Sequence, residues 1–515
     1  MSGGVYNWRL DALLSPWADD GVPALAVSGV NLDSRLVVVG DVYLAVAGAT
    51  THGMHYAVKA VDAGAVVVLT SSDSYLEFSA IVDELTARNI LVVAITELDI
   101  HCGEIASRFY GEPDKSLKML AVTGTDGKTS VCRFIAQALA ANSHLCGYIG
   151  TLGWGIGDML ENTELTTPDS VTLRRMLATM RDQGAQFVAL EASSHGIAEG
   201  RLDGLALDVA VLTNLGRDHL DYHVTVEAYK AAKERLFHWN TLQSVVINAD
   251  DSMGQELIAK LTRVSCFSYS ASGADPCDGK CSDSDTYSFS DCHHILARNI
   301  TANDAGLNFD LVDATGTYPV CTELLGQFNV DNLLATYACL RACGVAANDA
   351  IHAVEGVKPV AGRMERLGGG DKPTIVIDYS HTPNALQLAI DSVRVHCARQ
   401  LWVVFGCGGD RDPGKRAPMA EAAQTADHVV LTDDNPRTEN SLDIINDVLK
   451  GFEDSRNITV IADRADAIRH ALISAQVGDL VLIAGKGHED YQIVGTSRYH
   501  FSDREQVNSL LELAS

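Results

Sequence analysis

"VTGTDGKTSVCRF", from Val122 to Phe134, decides how this chain is read. An apolar run, "LKMLAVTG", leads into it, and a helical pattern leads out. Val131, Phe134, Ile135, Ala138 and Leu139 repeat at helical spacing between Thr129 and Asn142. Strand, glycine-rich turn, lysine and then hydroxyls at a helix start describe a phosphate site. Backbone N–H groups at the helix N-terminus point at the anion, and Lys128 adds a point charge for the outer phosphates. Thr129 or Ser130 can offer a hydroxyl to Mg²⁺. The common phosphate loop has four residues between its first glycine and the Gly-Lys pair. Here only Thr125 and Asp126 separate Gly124 from Gly127 and Lys128.

Around this loop, short apolar β-branched runs recur: "LVVVGDVYLAV", "AGAVVVLT", "NILVVAI", "QFVALEAS", "LDVAVLTN", "SVVINAD", "PTIVIDYS", "LWVVFGCGG", "HVVLTDDN", "ITVIADR" and "DLVLIAGKG". They have the length and composition of buried strands, and helical patterns separate several of them. This predicts an α/β chain with parallel sheets wrapped by helices. From residue 120 onward, polar stretches follow the runs directly. They are Gly124 to Lys128, Glu191 to His195, Asn214 to His219, Asp378 to His381, Gly406 to Arg411, Asp433 to Arg437 and Gly485 to Glu489. Ligands of open α/β sheets bind beyond the carboxyl ends of strands. The chemistry is therefore expected on two such edges, one central and one C-terminal.

The 515 residues suggest about three domains. Linker-like stretches near residues 115 and 358 set the expected boundaries: 1–115, 116–358 and 359–515. A net charge of −28 argues against a nucleic-acid binder, whose affinity rests on neutralising phosphates. There is no secretion signal in "MSGGVYNWRLDALLSPW" and no apolar run of the ~20 residues that span a bilayer. Twelve scattered cysteines do not resemble a secreted disulfide framework. A cytoplasmic chain with reduced thiols, acting as a monomer without membrane insertion, is expected. Cys277, Cys281, Cys292, His293 and His294 are metal-ligand types, but their spacing matches no standard zinc pattern, and the stretch reads as a solvated insertion.

Other residues are ambiguous taken singly. Glu191, just past a strand, is placed to hold Mg²⁺ or is a solvated loop glutamate. His219 is a ligand or a hydrogen-bonded structural histidine. Lys233 lies in "AYKAAKERLF", where Tyr229, Ala232, Leu236 and Phe237 make the buried stripe, so spacing alone puts Lys233 in solvent.

Taken together, the motifs resemble the Mur ligases of bacterial peptidoglycan synthesis. "TGTDGKTS", "LTTPDS", "LEASSHG", "TNLGRDHLDYH", "YKAAKERLF", "GQFNVDNLLA", "GRME", "DYSHTPNAL", "GCGGDRDPGKR", "DNPR" and "GKGHEDYQ" occur in that family's order. The resemblance implies a smaller N-terminal UDP-binding domain, a central P-loop-like ATPase domain and a C-terminal Rossmann-like domain. It implies nucleotide contacts from Gly124 to Ser130 and at Asn332, Arg363 and Asp378. It implies uridine contacts at Asp33, Ser34, Arg35, Thr51 and His52, and muramoyl-peptide contacts at Thr166, Thr167, Ser193 and Arg201. Thr129, Glu191 and His219 are implied Mg²⁺ ligands, and Lys233 an implied carbamylated lysine. Arg411, Asp434, Asn435, Arg437, Gly485 and Glu489 are implied to form an amino-acid pocket. Two positions depart from the family pattern: Asp126 stands where Asn is usual, and Glu199 where Gln is expected.

The implied reaction is ATP-driven amide formation. The D-glutamyl γ-carboxylate of UDP-N-acetylmuramoyl-L-Ala-D-Glu attacks the γ-phosphate, and the amine of meso-2,6-diaminopimelate then displaces phosphate from the acyl phosphate. "DNPR" goes with diaminopimelate in the family, through a guanidinium grip on its distal carboxylate. Alternatively, Arg437 pairs with Asp433 or Asp434. A folylpolyglutamate synthetase shares the ATPase core, but "NLDSR" and "DNPR" argue against it. A nucleotide-dependent switch has no need of the C-terminal polar loops.

Overall fold

The computed structural model describes residues 6–18, 21–48, 51–261, 263–273, 292–454 and 456–513. The chain divides into two compact units. The first is chiefly Met1–Ser268 with Ala338–Ala346, the second chiefly His294–Tyr337 with Ala347–Ser515.

Besides a short pair, Trp8–Arg9 with Ala26–Val27, the described residues of the first unit carry two larger sheets. The N-terminal one is parallel and four-stranded, in the order Gly29–Asn31, Asp41–Ala45, Val67–Ser71, Leu91–Ile95. Its strand from the run "LVVVGDVYLAV" is shorter than expected. Gly40 turns the chain at φ +96°, and only Asp41–Ala45 is a strand, while Val39 is left 81% exposed.

Six neighbouring strands of the larger sheet run in the order Ser244–Asn248, Val209–Leu212, Lys118–Thr123, Phe187–Glu191, Cys146–Gly150, Gly153–Ile156. All but the last are parallel. Their uniform apolar runs suit strands covered on both faces. Lys118–Thr123 lies between Val209–Leu212 and Phe187–Glu191, so the three loops richest in polar residues leave from three adjacent strand ends. The helix Lys128–Ala141 buries Val131, Phe134, Ile135, Ala138 and Leu139, the predicted stripe.

The second unit holds a six-stranded sheet in the order Glu365–Gly368, Thr374–Asp378, Leu480–Ala484, Leu401–Phe405, His428–Leu431, Ile458–Val460, antiparallel only at its first pair. Side chains alternate between two cores. Leu401, Val403 and Phe405 enter one, Trp402 and Val404 the other. This unit also contains an antiparallel ribbon: Cys292–Asn303 from Leu296 onward, Gly306–Asp313 and Gly316–Thr322. A hairpin, Tyr491–Val494 with Ser497–His500, ends the fold with the helix Asp503–Leu513. No helix among the described residues is long and apolar enough to cross a membrane.

Candidate active site

The loop between Thr123 and Lys128 is pinned on both sides. Gly127, at φ +82°, caps the helix Lys128–Ala141. At Gly124 a Cβ would run into Thr213 Oγ1, so only glycine fits so close to the neighbouring strand end. Asn214 accepts from Asp126 N through Oδ1 (2.9 Å), and Thr213 Oγ1 donates to Asp126 O (2.6 Å). Thr125 Oγ1 lies 3.0 Å from Tyr229 OH and accepts from Gly216 N (2.8 Å). The Asp126 residue itself is exposed. Lys128 Nζ donates to Gly124 O and Thr125 O, both at 2.9 Å, curling over the loop.

Lys233 reaches the same carbonyl, Nζ to Gly124 O at 2.7 Å. It is 1% exposed, not the solvated helix lysine that its spacing suggested. Tyr229 and Lys233 are one helical turn apart, so Lys233 continues the buried stripe. Burial first, and the charge of Lys128 second, push its pKa down to about 6. Glu191 is likewise no solvated loop residue, being 0% exposed. Its Oε1 accepts from Tyr148 OH (2.6 Å) and Thr151 N (3.0 Å), its Oε2 from Thr129 Oγ1 (2.9 Å) and Thr151 Oγ1 (3.2 Å). All these donors are neutral, and no basic side chain pairs with Glu191 among the described residues. A buried carboxylate without a cation, beside the Thr129 hydroxyl, is a donor set that fits Mg²⁺, which prefers hard oxygen ligands.

His219 lies on the loop that follows the strand Val209–Leu212. It stands at φ +53°, exposed, with Nε2 3.4 Å from Asp218 Oδ2 and its ring edge-on to His195 at 4.8 Å. No group of three or more His, Cys, Asp or Glu that could hold a metal occurs among the described residues. Cys277 and Cys281 lie outside them.

The residues matched to the sugar-peptide fall in the same unit. Asp33 and Arg35 form an ion pair (2.6 Å), which holds the Asp33 carboxyl below its usual range, and Ser34 is buried between them. Thr51 is exposed, and His52 accepts from Met54 N at Nδ1 (3.1 Å). Its Nε2 must then carry the proton toward Ser74 Oγ (3.0 Å), and its ring stacks on Phe78. These two loops follow adjacent parallel strands. Thr167 Oγ1 accepts from Ser193 N (3.0 Å) and lies 2.7 Å from Glu191 O, while Thr166 Oγ1 is 3.1 Å from Thr151 Oγ1. Arg201 donates to Thr167 O (2.6 Å) but is also gripped by Glu199 (2.5 and 2.9 Å).

In the second unit, Asp378 ends a strand and accepts from Met364 N and Ser380 N, both at 2.9 Å. Arg363 lies over the Tyr379 ring, 4.7 Å from its centroid. Asn332 is buried in the helix Phe328–Ala342 and donates to Asn329 Oδ1 (2.9 Å).

The "DNPR" loop is zipped to the terminal hairpin. Arg437 N donates to Ile493 O (3.0 Å), Gly495 N to Arg437 O (2.7 Å), and Gln492 Nε2 to Asp434 O (2.7 Å). Arg437 sits at φ +53°, with Nη1 donating to Gly409 O (2.8 Å). It does not pair with Asp433 or Asp434, and its remaining donors meet no carboxylate among the described residues. Arg411 is exposed on the neighbouring loop. Gly485 at φ +115° brings its Cα near Asp434, and Glu489 contacts Asn435 Nδ2 (3.1 Å).

Several residues behind these sites escaped sequence reasoning. Tyr148 lies within, and Thr151 just after, the strand Cys146–Gly150, which is too glycine-rich to read as one. Arg464 and Asp503 form a fully buried pair (2.7 Å) from which Arg464 donates to Ala484 O (3.0 Å) and Asp433 O (3.3 Å). Lys486, inside "GKGHEDYQ", is fully buried, and nothing in the spacing of that stretch signals it.

Three family models match the chain: "Mur ligase family, catalytic domain" over residues 26–110, "Mur ligase middle domain" over 122–340, and "Mur ligase, glutamate ligase domain" over 362–487. The UDP-N-acetylmuramoyl-L-alanyl-D-glutamate–2,6-diaminopimelate ligase of Pseudomonas aeruginosa is 43% identical over 491 residues, 95% of each chain. Its counterpart in Pseudomonas putida is 40% identical over 94% of each. A solved structure of a ligase of that name, 34% identical, superposes with a TM-score of 0.70 over 100% of this chain and 99% of its own. Three matched models in succession, and relatives alike over nearly their whole length, leave one conclusion: the chain belongs to the Mur ligase family.

Proposed function

We propose that this protein adds meso-2,6-diaminopimelate to the D-glutamyl γ-carboxylate of UDP-N-acetylmuramoyl-L-Ala-D-Glu at the expense of ATP, as a cytoplasmic monomer in peptidoglycan precursor synthesis. Residues 1–115 take the UDP moiety, 116–358 the nucleotide phosphates, and 359–515 the incoming amino acid. Full-length likeness to ligases of that name supports the reading. The observation that carries the choice of amine is Arg437. Its backbone is clamped by the hairpin, while part of its guanidinium meets no carboxylate.

The first step brings a carboxylate to a polyanion. Gly124 to Ser130 receive the phosphates on backbone N–H groups at a helix N-terminus, and Lys128 swings from the loop carbonyls to the outer phosphates. Thr129 and Glu191 would hold Mg²⁺, with His219 nearby on its loop; when bound, the ion neutralises charge on the phosphates. Asn332, Arg363 and Asp378 take the nucleoside. The γ-carboxylate oxygen bonds to the γ-phosphorus as the bond to ADP breaks. The amine nitrogen then bonds to the acyl carbon, phosphate leaves with the bond electrons, and the amine gives up a proton.

Lys233 is the site of a carbamate. Its buried amine, held neutral near pH 7, is the form that attacks CO₂, and a proton is released. The product puts an anion that attracts Lys128 where a charged Lys233 would be repelled by it. In the amino-acid pocket, Arg437 grips the distal carboxylate with Arg411 beside it, and Asp434, Asn435, Gly485 and Glu489 receive the ammonium groups.

Phosphate release from purified protein tests the function. It should require ATP, the UDP-dipeptide and meso-diaminopimelate together. Release with ATP alone, at the same rate, would refute a ligase.

A further inference from the structure

Lys486 is 0% exposed, in the loop that follows the strand Leu480–Ala484. A buried lysine is costly unless its charge and its donors are met. Here Nζ lies 2.9 Å from Glu489 Oε2 and 3.3 Å from Asn435 Oδ1, and 5.4 Å from the centroid of the Tyr491 ring. Asn435 Oδ1 also accepts from Ile493 N (2.9 Å). Two donors on one oxygen fix which end of the amide is which, so Nδ2 must point the other way. It donates to Glu489 Oε2 at 3.1 Å. Both bonds to Glu489 thus converge on Oε2, and Oε1 accepts none among the described residues.

We infer that Lys486 is a positioning residue for amino-acid recognition: it locks the Asn435 amide and the Glu489 carboxylate so that one carboxylate oxygen is kept for the ammonium of the incoming amino acid. This rests on the pocket assignment made above. Lys486 itself is held back from substrate: it is 0% exposed, two of its three donors go to Glu489 and Asn435, and the Tyr491 ring lies 5.4 Å away. Its loss should release both partners while leaving the nucleotide loop and the sugar-peptide residues as they were.

The test is steady-state kinetics on the full-length enzyme with Lys486→Met, Glu489→Gln and the double variant. Lys486→Met is expected to raise KM for meso-diaminopimelate at least tenfold. KM for ATP and for the UDP-dipeptide should stay within twofold. Because Lys486 acts through Glu489, the double variant should exceed Glu489→Gln alone by no more than about threefold. If Lys486→Met gives no folded protein, Lys486→Gln is read by the same criteria. An unchanged KM for the amino acid, a loss confined to kcat, or effects that multiply in the double variant would overturn the inference. Glu489→Gln with a wild-type KM for meso-diaminopimelate would instead overturn the pocket assignment beneath it, and the inference with it.

Discussion

Two lysine amines meet at one carbonyl: Lys128 Nζ at 2.9 Å and Lys233 Nζ at 2.7 Å from Gly124 O. The buried one yields its proton, so its pKa falls to about 6. In the unfolded chain it returns to the ordinary lysine value of about 10.4. Between those values the unfolded state binds one more proton than the folded state, so this group makes stability rise with pH by roughly 1.4 kcal/mol per unit. Below pH 6 both states are protonated and the slope disappears. Lys233→Met should flatten the wild-type slope between pH 7 and 9 in CO₂-free urea titrations; an unaltered slope would deny the shift. Under CO₂, Lys233→Ala should lose turnover and regain part of it with added short carboxylic acids. A second residue-scale prediction concerns Glu199, which occupies Arg201 through two bonds to one oxygen. Glu199→Gln should free the guanidinium and lower KM for the UDP-dipeptide severalfold, as initial rates would report. Neither arrangement was legible in advance. Helical spacing predicted a solvated Lys233 because a charged residue was assumed to leave the apolar stripe it belongs to, and no local pattern reveals that Glu199 folds back onto Arg201.

The parallel strands were legible because, covered on both faces, they are written as unbroken apolar runs. The half-exposed elements were not. Gly306–Asp313 mixes buried and half-buried positions, and no residue of the hairpin Tyr491–His500 is buried. Yet that hairpin clamps the "DNPR" loop, so the element least visible in the sequence supports one of its clearest motifs. The loops of this unit also lock against one another by close backbone approach. Gly362, at φ +66°, has no room for a side chain, because a Cβ would strike His488 N and the Gly487 backbone. Gly362→Ala should therefore cost on the order of 3 kcal/mol, from overpacking and left-handed strain together. Chemical denaturation would show it; an unchanged midpoint would mean that the two loops are not locked.

Across the molecule, the described chemistry gathers in two places: the adjacent strand ends around Lys128 in the first unit, and the strand ends around Arg437 in the second. A chain of net charge −28 that handles ATP and a UDP-linked acid depends on such local cations. Lys128→Ala should accordingly lower phosphate release more than a hundredfold with the fold intact, since Lys128 opens the helix after a surface loop and its Nζ donates to the carbonyls of Gly124 and Thr125. Near-normal release would remove Lys128 from the mechanism. On the proposed reading, the choice of amine falls to Arg437 in the second unit. Meso-diaminopimelate carries a distal carboxylate that L-lysine lacks, and lysine would leave Arg437 without that partner in a partly desolvated pocket, a loss that supports discrimination of about 10⁴-fold. The most direct measurement compares kcat/KM for meso-diaminopimelate and L-lysine in the wild type and in Arg437→Ala. Strong preference for meso-diaminopimelate in the wild type, largely lost in Arg437→Ala, is the predicted result. Equal kcat/KM for both amino acids in the wild type, or full preference retained by Arg437→Ala, would contradict it.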